Sequence, residues 1–188
     1  MIYFTSDLHL GHDRFFIWYQ RGFKSVEEMN EGIISRWNSR ITDEDDVYIL
    51  GDLVMGGVEN VEMLERLNGK LHIIFGNHDG PKKREAYAEL DNVIECGWAT
   101  ELKYRKYTFF LSHYPTMVIN DEIKDLNSLR ECPLNLFGHT HQELSNFYND
   151  DCRMYHVGVD SHNCYPVAID DVINSMKRKF EVQKSVIN

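Results

Sequence analysis

The sequence predicts an α/β domain built in layers with helices on the outside, and two observations carry that prediction. Short apolar runs recur along the chain, each ending in a polar turn that contains Gly, Asp or Ser, which is the pattern of buried strands. Segments with helical spacing alternate with the early runs, and strand-like segments crowd the later chain. The 188 residues are 43% hydrophobic and 27% charged, so they fit a single domain over 1–188 with a sizeable core. No repeat, low-complexity tract or Pro/Gly/Ser linker marks an internal boundary.

The elements follow in order. Ile2 to Thr5 reads as the first strand and runs into Ser6-Asp7-Leu8-His9. Ser25-Val26-Glu27-Glu28 is a capping box, and Met29, Ile33, Ile34, Trp37 and Ile41 then recur at helical spacing. Val47 to Leu50 is the next strand, ending in Gly51-Asp52. Val58, Val61, Leu64 and Leu67 repeat every three residues and stop at Asn68-Gly69, which predicts a second helix. Leu71 to Phe75 is a strand ending in Gly76-Asn77-His78-Asp79, and Lys82 to Leu90 a shorter helix. Thr108 to Leu111 runs into Ser112-His113, and Leu134 to Phe137 into Gly138-His139-Thr140-His141. Lys103 to Tyr107 reads as a hairpin turn, and Phe147-Tyr148 with Met154 to Val157 as a second hairpin. Asp170 is positioned to cap a last helix through Met176.

Composition narrows the class. The longest apolar stretches fall far short of the roughly 18 residues a membrane span needs, and Met1 to His12 lacks the basic and apolar regions of a signal peptide. A cytoplasmic location is expected. The net charge of −10 disfavours long nucleic acids as partners, although bound divalent cations supply positive field locally. Cys96, Cys132, Cys152 and Cys164 are widely spaced, with no CxxC pair, and read as free thiols.

The chemistry concentrates at the strand ends, where ligands gather in open α/β sheets. Asp7 and His9, two apart at a strand end, are expected to leave on the same side, as are His139 and His141. With Asp52, Asn77 and His113 they make two carboxylates, one amide and four imidazoles, all expected at one sheet edge. Five of the nine histidines lie in these turns. Mixed nitrogen and oxygen donors without thiolate suit manganese, iron, zinc or nickel rather than calcium. Seven ligands exceed the needs of one ion; with one bridging carboxylate they make two four-ligand sites, an arrangement for two-metal hydrolysis of a phosphate ester.

In order, the turns are Asp7-x-His9, Gly51-Asp52, Gly76-Asn77-His78-Asp79, a lone His113 and Gly138-His139-x-His141. This set resembles the calcineurin-like metallophosphoesterases over roughly the first three quarters of the chain. One departure is Ser112, where many members carry Gly before the lone His. The resemblance implies a four-layer αββα sandwich, two packed mixed sheets flanked by helices. It also implies a first metal held by Asp7, His9, Asp52 and His141, and a second by Asp52, Asn77, His113 and His139. It gives His78 a catalytic role near the leaving oxygen, with Asp79 expected to orient it. A hydroxide bridging the two divalent ions would attack phosphorus in line.

The expected function is therefore hydrolysis of small phosphate mono- or diesters. The alternative is a non-catalytic metal-binding scaffold, but neither a ligand nor His78 is missing. His12, Arg14, His162 and Asn163 are candidate substrate contacts, and Asp160 is a candidate partner for a ligating histidine. Lys82-Lys83-Arg84 reads as an exposed helix start. Specificity is expected in the loops at residues 11–24, 114–133 and 160–166.

Overall fold

The structure is a computed structural model that describes residues 1–116, 125–141 and 151–187. Its strands are β1 (Ile2–Thr5), β2 (Asp46–Leu50), β3 (Lys70–Ile74), β4 (Val93–Gly97), β5 (Ala99–Tyr104), β6 (Tyr107–Ser112), β7 (Leu134–Phe137), β8 (Met154–His156) and β9 (Val167–Ala168). Its helices are α1 (Phe15–Gln20), α2 (Val26–Asn38), α3 (Pro81–Ala88) and α4 (Ile169–Ile187), with a 3-10 helix over Val58–Arg66.

The strands form two mixed sheets. One has the order β4-β3-β2-β1-β9, parallel except for β9, and the other the order β5-β6-β7-β8, parallel except for β5. Alternation along the first sheet decides the layers. Phe4, Tyr48, Leu50 and Ile74 join one buried cluster with Phe109, Leu111, Leu134 and Leu136 of the second sheet. Val47, Ile49, Leu71 and Ile73 point the other way, into a cluster with Met29, Ile33 and Trp37 of α2 and with Val61 and Leu64. Each such fully buried side chain contributes about 1.5–3 kcal/mol relative to an exposed one. The α4 residues Val172, Ile173, Met176 and Phe180 complete the first cluster. The result is the expected sandwich of two mixed sheets with flanking helices.

Local chemistry accounts for the elements. Ser25 Oγ accepts from Glu28 N–H at 3.2 Å, while Lys24 N–H donates to the Glu28 carboxylate at 2.9 Å, so the capping box closes one residue early. The every-third-residue repeat from Val58 to Leu67 yields a 3-10 helix, whose three residues per turn match it better than an α-helix does. The last helix continues well past Met176, because Phe180 keeps its apolar stripe going. The Lys103–Tyr107 hairpin forms, with Tyr104 opposite Tyr107 and Arg105 at φ 53°.

Three further results differ from expectation. Met154–His156 pairs parallel to β7, and the proposed partner limb Phe147-Tyr148 lies outside the described residues. The segment Phe15–Gln20 is helical although it buries no residue, and β4 is a half-exposed edge strand. No helix among the described residues is long and apolar enough to cross a membrane.

Candidate metal centre

The turns after β1, β2 and β3, neighbours in one sheet, meet the turns after β6 and β7, neighbours in the other. The site is thus shared between two sheet edges rather than lying along one. Its backbone is unusual. Eight non-glycine residues among those described have positive φ, and five are Asp7 (57°), His9 (50°), Asp52 (57°), His139 (67°) and His141 (47°). Each such conformation costs about 1–3 kcal/mol and persists only where surrounding contacts enforce it.

Those contacts link the turns to one another. Asp7 N–H donates to the Gly51 carbonyl (2.9 Å) and His9 N–H to the Asp52 carbonyl (3.1 Å). The Asp7 carboxylate accepts from His139 N–H (2.9 Å) and the Asp52 carboxylate from His78 N–H (2.8 Å). Asp79, almost fully buried, accepts from the N–H groups of Asp52 (2.8 Å), Gly76 (2.8 Å) and Leu53 (3.3 Å) and from the Tyr87 hydroxyl (2.8 Å). It therefore braces the Asp52 and Gly76 turns from beneath instead of orienting His78, because three backbone N–H groups and the Tyr87 hydroxyl occupy its acceptor positions. Burial and the Asp79 charge raise the Tyr87 pKa, which keeps that hydroxyl a donor.

The side chains form two groups, Asp7 with His9 and His141, and Asp52 with His113 and His139. His9 Nε2 lies 3.0 Å from His141 Nε2 and 3.7 Å from Asp52 Oδ2, and His141 Nε2 is 3.7 Å from Asp7 Oδ1. His113 Nε2 lies 2.9 Å from Asn77 Oδ1 and 3.5 Å from Asp52 Oδ2. Asp52 Oδ2 thus stands between the groups. His139 and His141 enter different groups, because a left-handed backbone replaces the extended one that would have put them on the same side.

Two observations fit a cation in each group. His113 Nδ1 donates to the Leu50 carbonyl at 2.8 Å, so its Nε2 keeps a lone pair aimed at the Asp52 carboxylate. His141 Nδ1 likewise donates to Asp160 at 2.9 Å, which turns its Nε2 toward Asp7 and His9. Burial raises the pKa of the Asp7 carboxyl and, with the nearby His141 and Arg21, lowers that of His9 to about 2. The inward ring nitrogens of His9, His141 and His113 crowd against the carboxyl oxygens of Asp7 and Asp52, a set of facing donor atoms that a divalent cation satisfies.

His78 sits at the open mouth, its side chain 44% exposed and its Nε2 4.0 Å from Asp52 Oδ2. The His12 ring lies 5.3 Å from that of His9, while Arg14 is exposed at the start of α1. Asn163 stands at a cavity of about 490 Å³ that His141, Asp160 and Arg21 also line. His162 is turned away; its Nε2 donates to the His156 carbonyl at 2.9 Å and its ring stacks on Tyr155, so a backbone acceptor has claimed it. Ser112 causes no disturbance, since its hydroxyl donates to the Tyr114 carbonyl at 2.7 Å. Lys83 is not merely solvated, as Nζ donates to the carbonyls of Val54 (2.8 Å) and His78 (3.2 Å).

Two residues escaped sequence reasoning. Tyr114 packs edge-on against both His113 and His139, with ring centroids 5.0 and 4.6 Å away. Arg21, its side chain only 3% exposed, donates to the carbonyls of Asp7 and Leu8 (2.8 Å each) and to Asp160 (2.9 Å). Neither belongs to a motif, and a buried arginine just after an aromatic segment has no sequence signature.

Comparison with known proteins places the chain in a family. The calcineurin-like phosphoesterase superfamily domain matches residues 1–159. An uncharacterized protein of Methanocaldococcus jannaschii is 32% identical over 183 residues, covering 94% of this chain and 92% of that protein. The gene 66 protein of Mycobacterium phage L5 is 26% identical over 181 residues, covering 85% and 86%. The crystal structure of an Aquifex aeolicus protein of unknown function shares the fold at TM-score 0.69, with 22% identity over 92% of this chain and 97% of the other. With the family domain spanning most of its length, the chain belongs to the calcineurin-like phosphoesterase superfamily.

Proposed function

We propose that the chain hydrolyses small phosphate mono- or diesters at a centre of two divalent metal ions. The observation that carries this reading is the position of Asp52, whose Oδ2 lies 3.7 Å from His9 Nε2 and 3.5 Å from His113 Nε2. In this reading Asp7, His9, Asp52 and His141 hold one ion, and Asp52, Asn77, His113 and His139 the other. When bound, the ions supply an acidified water and offset the charge that develops on the phosphoryl oxygens.

The chain's own groups do the rest. His78 is exposed at the mouth and its backbone N–H donates to Asp52; in this reading its imidazole gives a proton to the leaving oxygen. In this reading His12, whose ring lies 5.3 Å from that of His9, and Arg14 bind the substrate phosphate, and Asn163, at the cavity beside His141, contacts the rest of the substrate. The four backbone and hydroxyl donors on Asp79 keep the Asp52 and Asn77 turns in register as substrate enters.

The experiment is elemental analysis of purified protein, with Asp52→Asn beside it, followed by assays on aryl phosphate mono- and diesters with manganese, nickel or zinc. Near two ions per chain, ester cleavage, and loss of both in the variant are expected. Two bound ions without cleavage of either ester would favour the scaffold alternative.

A further inference from the structure

The two ligand groups are supported in different ways. In the second, His113 is tied to the Leu50 carbonyl and the Asp79 carboxylate braces the Asp52 turn. The first, besides its backbone bonds to the Gly51 and Asp52 carbonyls, is held by two side chains from elsewhere in the fold. Asp160, from the 3-10 turn Val159–Ser161, accepts from His141 Nδ1 at 2.9 Å and from Arg21 Nε at 2.9 Å and Nη2 at 3.3 Å. The same guanidinium donates to the Asp7 and Leu8 carbonyls, between the two ligands of the first turn. One buried cation thereby joins Asp7, His9 and, through Asp160, His141.

We infer that Arg21 and Asp160 are positioning residues for one ion only, the one held by Asp7, His9 and His141. This rests on the dinuclear reading above and adds to it that the two ions are separately supported. The Asp160 carboxylate fixes the His141 tautomer and ring plane, and Arg21 holds both the carboxylate and the strained Asp7–His9 backbone in place. A planar guanidinium is suited to this task, because its donors reach two carbonyls and a carboxylate at once. Without the pair, His141 loses its orientation while His113, His139 and Asn77 keep every contact described for them.

The test is manganese titration of metal-free wild type, Asp160→Ala, Asp160→Asn and Arg21→Lys. Bound ions are counted, and electron paramagnetic resonance distinguishes coupled pairs from single ions. Wild type is expected to take two coupled ions. Asp160→Ala is expected to bind one ion with wild-type affinity and the other about 10- to 100-fold more weakly, giving an isolated-ion spectrum. Asp160→Asn, which keeps an acceptor for His141, is expected to recover part of that loss. Arg21→Lys is expected to weaken the same ion. Should Asp160→Ala misfold by circular dichroism, the Asn and Lys variants decide the matter. Two ions of wild-type affinity in folded variants, or equal weakening of both, would overturn the inference. A wild type that binds no manganese would instead sink the dinuclear reading itself.

Discussion

The Tyr87 hydroxyl donates to Asp79 at 2.8 Å inside the protein, joining α3 to the carboxylate that braces the Asp52 and Gly76 turns. Tyr87 is fully buried, and Asp79 nearly so. Tyr87→Phe keeps the ring packing and removes one donor from a buried anion. It is expected to destabilise the fold by about 1–3 kcal/mol. Asp79→Ala strips the partner from three backbone N–H groups as well and is expected to cost more. Urea denaturation of both variants checks the order, and equal midpoints would refute it.

Gly51 shows why the motif before Asp52 needs glycine. Its φ is 93°, and a Cβ there would run into Nδ1 of His113, the atom that donates to Leu50, and into the Gly76 backbone. Gly51→Ala is expected to cost at least about 1–3 kcal/mol from the backbone alone. It is also expected to displace His113 and weaken metal binding at the group proposed to include it. Thermal melts with and without manganese measure both effects; a variant with undiminished metal stabilisation would contradict the placement.

Much of this was legible because strand ends announce themselves. Ile2–Thr5 and Leu134–Phe137 form at the expected residues, and the other three early runs shift by only a residue or so. Apolar alternation and the polar turns were enough to place seven site residues at strand ends. Their sorting into two sets came from the family resemblance and not from spacing. His139 and His141 part company because of left-handed backbone that spacing does not encode. The role of Asp79 depends on N–H groups 26 and 27 residues away, and that of Arg21 on Asp160, 139 residues on. Such partners are set by topology, not by local pattern. Helix α1 stayed hidden because six residues with none buried carry no amphipathic period.

His78 separates catalysis from metal binding. It belongs to neither candidate ligand group, and its side chain is 44% exposed. His78→Ala is expected to lower kcat by about 10²- to 10⁴-fold, the range for a positioned acid, with metal content unchanged. Activity loss matched by loss of an ion would instead make His78 part of the ligand set.

His156 sets a pH limit on stability. It is 2% exposed, its Nδ1 lies 2.7 Å from Ser161 Oγ, and burial, aided by His162, lowers its pKa to about 4. Unfolded, an imidazole binds its proton near pH 6.5. Between those values the unfolded chain holds more protons than the folded one, so stability falls as pH drops from about 6.5 toward 4 and regains nothing below. The loss attributable to this group is on the order of 3 kcal/mol. His156→Gln, which cannot take up that proton, is expected to flatten the acid limb of the stability curve by up to one proton. Urea midpoints from pH 7.5 down to 4.5, measured with chelator present, provide the comparison. Parallel acid limbs for wild type and variant would show that His156 is not the group being titrated.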